Sequence, residues 1–224
     1  MHCFLHPADF DSIISSHPRT FTHSLPQLYS PCRAAIMASN SANRDLLSPH
    51  NNNNNNNATT ISRTRLIFTY GTLKRGFYNH RLMESLISTG DASFIGECTT
   101  KESFPLVIGP YGIPFLINLL GSGHRIPGEL YAVSDRGLAR LDELEGIETG
   151  HYERLPVDVV SGDGQVVAVE GYFGHRSFGE ELWRKNGEKG LREFGKEMAE
   201  KYVVRANRRL GSNFVDDVWK FISA

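Results

Sequence analysis

Cysteine is scarce in this chain: Cys3, Cys32 and Cys98 form an odd set with no CxxC spacing. That excludes a disulfide framework and a zinc knuckle, and it favours a reducing compartment, with the cytoplasm as the expected location. A surplus of positive charge is missing too: 24 Lys+Arg stand against 25 Asp+Glu, a net charge of -1. A nucleic acid or an acidic membrane surface usually draws on a basic excess, so neither is expected as a partner. No apolar run reaches the roughly 18 residues needed to span a bilayer. The histidines lack metal-ligand spacing, and His80, His124, His151 and His175 read as loop or surface residues. "GSG" around Ser122 is not the G-x-S-x-G elbow of a serine hydrolase.

The first 64 residues are short of packing material as well. Seven consecutive asparagines, Asn51–Asn57, follow His50, and beyond Ser39 little besides Leu46 and Leu47 could enter a core. Such a run cannot offset its ordering entropy and is expected to be disordered. Residues 1–36 are rich in Ser and His, which leans towards an organelle transit peptide, but two Asp near the start and only two Arg argue against one. Met37 reads as an alternative start, so nothing is built on the residues before it.

What is present lies in residues 65–224, whose 20 basic and 22 acidic residues are again near balance. "RLIFTY", Arg65–Tyr70, reads as a short buried strand ending at Gly71. "NHRLMESLIS" sets Leu82 and Leu86 on one helical face beside Met83 and Ile87, with Asn79 as N-cap. Strands are expected at Ala92–Thr100, where Cys98 would be a small buried residue, and at Leu106–Ile108, Pro114–Leu119 and Pro127–Val133. A helix capped by Ser134 or Asp135 should run to Glu145 and stop at Gly146. "YERLPVDVVSGDGQVVAVEGYF" reads as a hairpin, and residues 176–224 as a charged, partly helical extension. The class is α+β, with a mostly antiparallel sheet or small barrel over 65–175 and short helices.

Two features could carry chemistry. In "YGTLKRG", Gly71 and Gly76 enclose four residues as in a phosphate loop, but Phe77 and Tyr78 stand where Lys and Ser/Thr are required. The spacing of a dinucleotide fingerprint is also absent. The stretch is then either a plain strand-to-helix turn or a nest of N–H groups able to hold a carboxylate or an oxyanion, with Lys74 and Arg75 leading into the helix. The second feature is Glu145. At about 100° per residue it returns to within roughly 20° of Leu138 and projects between Leu138 and Leu141, on the apolar face. Asp142 lies at the margin of that face and Glu143 points to solvent. A carboxyl so placed, near a helix C-terminus, has its pKa raised towards the range of a general acid/base. The alternative is a structural Glu145 neutralised by Arg125 or Arg154. A two-carboxylate glycosidase built on Glu143 and Glu145 fails, because residues two apart on a helix diverge by about 160°.

With "YGTLKRGFYNH", the block from Phe104 to Gly146, "FPLVIGPYGIPFLINLLGSGHRIPGELYAVSDRGLARLDELEG", is similar to the γ-glutamylcyclotransferase-like family. Its nearest branches are the γ-glutamylamine cyclotransferases and the plant avirulence-induced-gene-like proteins. The resemblance covers Leu66–Phe173. It implies a small barrel-like fold and conversion of a small γ-glutamyl amine or amide to 5-oxoproline and a free amine, with no cofactor and no metal. It also implies that Tyr70, Gly71, Thr72 and Leu73 bind substrate and that Glu145 is catalytic. The alternative within the same fold is a vestigial pocket kept for ligand binding or defence signalling.

Overall fold

The structure, a computed structural model, describes residues 64–208 and 213–224. The asparagine run and the transit-like segment, expected to be disordered, lie outside the described residues. The described residues form seven strands: β1 (Thr64–Thr69), β2 (Ala92–Thr100), β3 (Leu106–Ile108), β4 (Pro114–Leu116), β5 (Pro127–Ser134), β6 (Tyr152–Ser161) and β7 (Val166–Gly174). Five close into a barrel in the order β1-β5-β2-β6-β7, while β3 and β4 form a separate ribbon. Every neighbouring pair in the barrel is antiparallel except β1 and β7, which run parallel and close it.

Period-two alternation sorts the strand side chains into two cores. Leu66, Phe68, Leu130, Ala132, Val169 and Phe173 share one. Their neighbours Ile67, Tyr131, Val133 and Tyr172 belong to the other, where the helices pack. Cys98 is buried on β2.

The helices are α1 (His80–Ser88), α2 (Asp135–Glu145), α3 (Gly179–Lys185), α4 (Lys196–Ala199) and α5 (Phe214–Ser223). On α1, Met83 and Leu86 are buried, Leu82 is half-buried and Ile87 is exposed. Asn79 occupies the N-cap position but makes no side-chain cap there. For α2 the sequence reading holds at both ends. Ser134 Oγ accepts from Gly137 N at 3.1 Å, and Gly146 stands in the left-handed region at φ 65°. The strand expected over Pro114–Leu119 stops at Leu116. Beyond it, Ile117 N donates to Pro105 O at 2.8 Å and Leu119 N turns back onto Ile117 O at 2.8 Å, which removes the ladder.

The segment 176–224, set apart in the sequence as an extension, contributes Phe178, Leu182, Trp183 and Val218 to the helix-side core and Phe194 to the other. Phe115 of β4 is the joint. Its ring stacks on Tyr152 at 5.0 Å, meets Phe178 edge-on at 5.7 Å and faces Phe214 at 6.2 Å. Phe115→Ala is expected to cost about 3–5 kcal/mol in urea unfolding. A loss below about 1 kcal/mol would show that this aromatic joint does not hold the C-terminal segment to the barrel.

Candidate active site

The strand β1 ends where Tyr70–Leu73 begins, and this loop is held from several sides. A Cβ on Gly71 would lie 2.9 Å from Pro114 Cγ, so glycine permits the close approach of loop and β4. The expected N-cap of α1 serves the loop instead. Asn79 N donates to Thr72 O at 3.0 Å, and Asn79 Nδ2 donates to Thr72 Oγ1 at 2.8 Å and to the Tyr202 hydroxyl at 3.2 Å. Lys74 and Arg75, read as a mere lead into the helix, are anchors. Lys74 Nζ donates to Phe194 O at 3.1 Å. Arg75 donates to the buried Glu129 of β5 through N at 3.0 Å and Nε at 2.9 Å. Among the described residues, the N–H groups of Gly71, Thr72 and Leu73 donate to no protein acceptor.

Glu145 closes α2 and lies against the same pocket. Inner-pocket walls come from Tyr70, Gly71, Thr72, Leu73, Pro114, Glu145, Tyr152 and Tyr172, together with Phe68 and Thr69. The structure therefore brings together all five residues singled out in the sequence. Among the described residues Glu145 makes no hydrogen bond or ion pair. Arg154 is committed to Asp142 at 3.1 Å and to Glu170 at 2.8 Å, and Arg125 Nε donates to Thr100 O at 2.9 Å. The two arginines that might have neutralised Glu145 are thus occupied. Burial, reinforced by the like charge of Asp142, pushes its pKa up to about 8.

The surrounding phenols do not relieve it. Tyr70 OH donates to Tyr172 O at 2.8 Å and accepts from Leu116 N at 3.1 Å. Tyr152 OH donates to Pro114 O at 2.8 Å, and Tyr172 OH donates to Asp142 Oδ1 at 2.7 Å. Burial raises all three phenols, and the nearby Glu145 adds to the rise, so they stay protonated. Tyr70 consequently offers the pocket its ring rather than a free hydroxyl.

The inner pocket has a volume of about 30 Å³, room for one or two water-sized groups. It shares Thr72, Pro114, Glu145 and Tyr152 with an outer cleft of about 880 Å³. Tyr78, Tyr111, His151, Tyr202, Arg205 and Arg208 are among the cleft's other walls. The sequence reading missed these, because a cleft wall assembled from distant loops leaves no periodic signal. His151, expected at the surface, is half-buried. Its ring lies 4.4 Å from that of Phe214, and burial, helped by Arg205 and Arg208, pushes its pKa down to about 4. Gly146 makes room for it, since a Cβ there would overlap His151 Nδ1.

The family described as "Gamma-glutamyl cyclotransferase, AIG2-like" matches residues 67–189. The chain belongs to this family. It is 48% identical over 178 residues to a putative gamma-glutamylcyclotransferase of Arabidopsis thaliana, spanning 74% of this chain and 95% of that protein. The gamma-glutamylaminecyclotransferase of Rattus norvegicus is 48% identical over 94 residues, 42% of this chain and 62% of that one. The crystal structure of an AIG2-like protein from mouse superposes with a TM-score of 0.57 at 35% identity, covering 65% of this chain and 99% of that chain. The loop and Glu145 fall inside the segment matched to the cyclotransferase family, whereas Tyr202, Arg205 and Arg208 lie beyond its end at residue 189.

A carboxyl raised from an unfolded value near 4.5 to about 8 makes stability depend on pH. In the unfolded chain Glu145 ionises first, so its favourable contribution is complete below about 4.5 and is lost as pH rises through about 8. Relative to Glu145→Gln, the wild type should lose stability over that window and level off above it, as urea unfolding at a series of pH values would record. Parallel profiles for the two proteins would contradict the raised pKa.

Proposed function

We propose that the chain is a γ-glutamyl cyclotransferase, converting a γ-glutamyl amine or amide to 5-oxoproline and a free amine. The observation that carries this reading is the Glu145 carboxyl, unpaired among the described residues and with its pKa pushed up to about 8, in one small pocket with three N–H groups that have no acceptor among those residues.

A γ-glutamyl compound contains its own nucleophile, the α-amine, and its own electrophile, the γ-carbonyl. Holding it folded makes the attack intramolecular, which supplies much of the rate through effective molarity. The remaining task is to move protons. The cationic α-ammonium, arriving beside Glu145, favours the carboxylate form, and that carboxylate takes a proton from the ammonium. The freed amine attacks the γ-carbonyl and closes a five-membered ring through a tetrahedral intermediate. Glu145, now protonated, gives its proton to the departing nitrogen as the original C–N bond breaks, and the surplus proton on the ring nitrogen passes to the released amine, which departs as its ammonium. The N–H groups of Gly71, Thr72 and Leu73 are suited to hold the substrate's α-carboxylate or the developing oxyanion. No atom changes oxidation state and the internal amine replaces an external nucleophile, so the reaction needs no cofactor. The inner pocket fits a carboxylate-sized group, which leaves the outer cleft for the departing amine.

Glu145→Gln should retain the fold by circular dichroism and lose at least about 10²-fold in 5-oxoproline release, measured with γ-glutamyl-lysine, γ-glutamyl-alanine and glutathione. The wild-type kcat/KM should climb with pH towards about 8 as Glu145 ionises. Near-wild-type turnover by the variant would rule out this role. Tight binding of γ-glutamyl compounds by a wild type that never turns them over would favour a ligand-binding module.

A further inference from the structure

One side chain in the wall of the outer cleft has chemistry that the proton transfers of Glu145 leave unused. His151 lines this cleft together with Glu145. It is held from three directions. Its N donates to Gly146 O at 3.1 Å, its carbonyl accepts from His175 N at 3.2 Å, and its ring rests 4.4 Å from that of Phe214. Nδ1 lies so close over Gly146, the residue after Glu145, that any side chain there would overlap it. The imidazole is thus seated at the end of α2 that carries Glu145. Its ring nitrogens make no hydrogen bond among the described residues, yet neither is sealed from the cleft.

A neutral imidazole presents one N–H and one lone pair. Burial, helped by Arg205 and Arg208, holds His151 neutral down to about pH 4, so its lone pair persists wherever Glu145 can exchange a proton. Other polar groups of the wall are unsuited or engaged. Arg205 and Arg208 have no lone pair to offer. The Tyr202 hydroxyl accepts from Asn79 and from Arg208, each at 3.2 Å, and the Tyr111 hydroxyl is turned to Asp217 at 2.8 Å. Cleavage of a secondary amide brings one hydrogen-bond donor into this cleft, the N–H of the scissile bond. As Glu145 protonates that nitrogen it becomes cationic, and a hydrogen bond from its N–H to an uncharged lone pair strengthens. An imidazolium would instead repel it.

We infer that the lone pair of His151 accepts the N–H of the departing nitrogen and turns that nitrogen's own lone pair towards Glu145 while the C–N bond breaks. His151 is then a second catalytic residue, one that touches the reacting nitrogen without exchanging a proton with it. The original N–H bond stays intact throughout. Glu145 supplies the proton for the new N–H bond, and the electron pair of the broken C–N bond stays on the departing nitrogen. This inference rests on the cyclotransferase reading, and it applies to secondary amides whatever else the leaving group carries.

The test uses substrates that differ only at that N–H: γ-glutamyl-alanine against γ-glutamyl-N-methylalanine, and γ-glutamyl-ε-lysine against its Nε-methyl derivative. Four variants separate the lone pair from the shape of the ring. His151→Asn and His151→Gln put an amide oxygen near the places of Nδ1 and Nε2, while His151→Leu and His151→Met copy their shapes without it. For 5-oxoproline release by the full chain, the secondary-to-tertiary ratio of kcat/KM should fall by about tenfold or more from wild type to His151→Leu and His151→Met in at least one pair. His151→Asn or His151→Gln should recover most of that ratio, which a role in packing alone would not allow. A ratio equal in wild type, His151→Leu and His151→Met, or as low in both amide variants as in their apolar counterparts, would overturn the inference while leaving the cyclotransferase reading intact. Nitrogen-15 NMR of the imidazole reports even if these variants misfold. In Glu145→Gln, γ-glutamyl-alanine should shift the unprotonated ring nitrogen upfield and γ-glutamyl-N-methylalanine should not; equal spectra with both would count against the contact. Release of 5-oxoproline from neither secondary amide would overturn the cyclotransferase reading, and the NMR comparison then still decides the role of His151.

Discussion

Among the described residues Glu145 lacks a counter-ion, because its neighbours keep the adjacent cation for themselves. Arg154 lies between Asp142 and Glu170, which hold it at 3.1 and 2.8 Å. Tyr172 adds its hydroxyl proton to Asp142 at 2.7 Å, and Arg65 approaches Glu170 from outside at 3.4 Å. Had Arg154 turned to Glu145, an ion pair would have lowered the carboxyl well below neutrality and weakened it as a base. The network instead leaves Asp142 as a like charge beside Glu145. The poise of the site thus depends first on burial and then on a carboxylate three residues earlier on the same helix.

Placement depends on how two parts of the chain converge on the barrel mouth. The loop Tyr70–Leu73 leaves β1 and is fixed to β5 through Arg75 and Glu129, and to the C-terminal segment through Lys74 and Phe194 O. Helix α2 leaves β5 itself, with Ser134 serving as both the last strand residue and the helix cap. One strand therefore anchors the loop near its start and launches the glutamate's helix at its end. The C-terminal segment then supplies Tyr202 to brace Asn79 and Arg208 to furnish the outer cleft. Its buried Phe178, Leu182, Trp183 and Val218 make it part of the packed body.

The legible parts were those governed by short-range rules. The bounds of α2, the left-handed Gly146 and the inward aim of Glu145 all follow from capping chemistry and helical periodicity within "SDRGLARLDELEG". The hairpin of β6 and β7 was readable from its glycine turn for the same reason. Asn79 was misread because a cap residue and a loop brace have the same side chain, and only the arrival of Thr72 and Tyr202 decides between them. Lys74, Arg75 and His151 failed likewise: their partners Phe194, Glu129 and Phe214 are distant in sequence. The charged composition of 176–224 masked its buried aromatics, which are spaced too irregularly to show a helical stripe. Resemblance, rather than periodicity, was what joined loop and glutamate before the fold did.

The central claim is that an acid left without a partner is set to exchange its proton near neutral pH. Titration of the Glu145 side-chain carboxyl by carbon-13 NMR in the ligand-free protein measures this directly, with Glu145→Gln identifying the resonance. A midpoint near 8 is expected. A midpoint at the ordinary value near 4.5 would mean that Glu145 is ionised and solvated in the folded protein, and the proton-shuttle role would have to be abandoned.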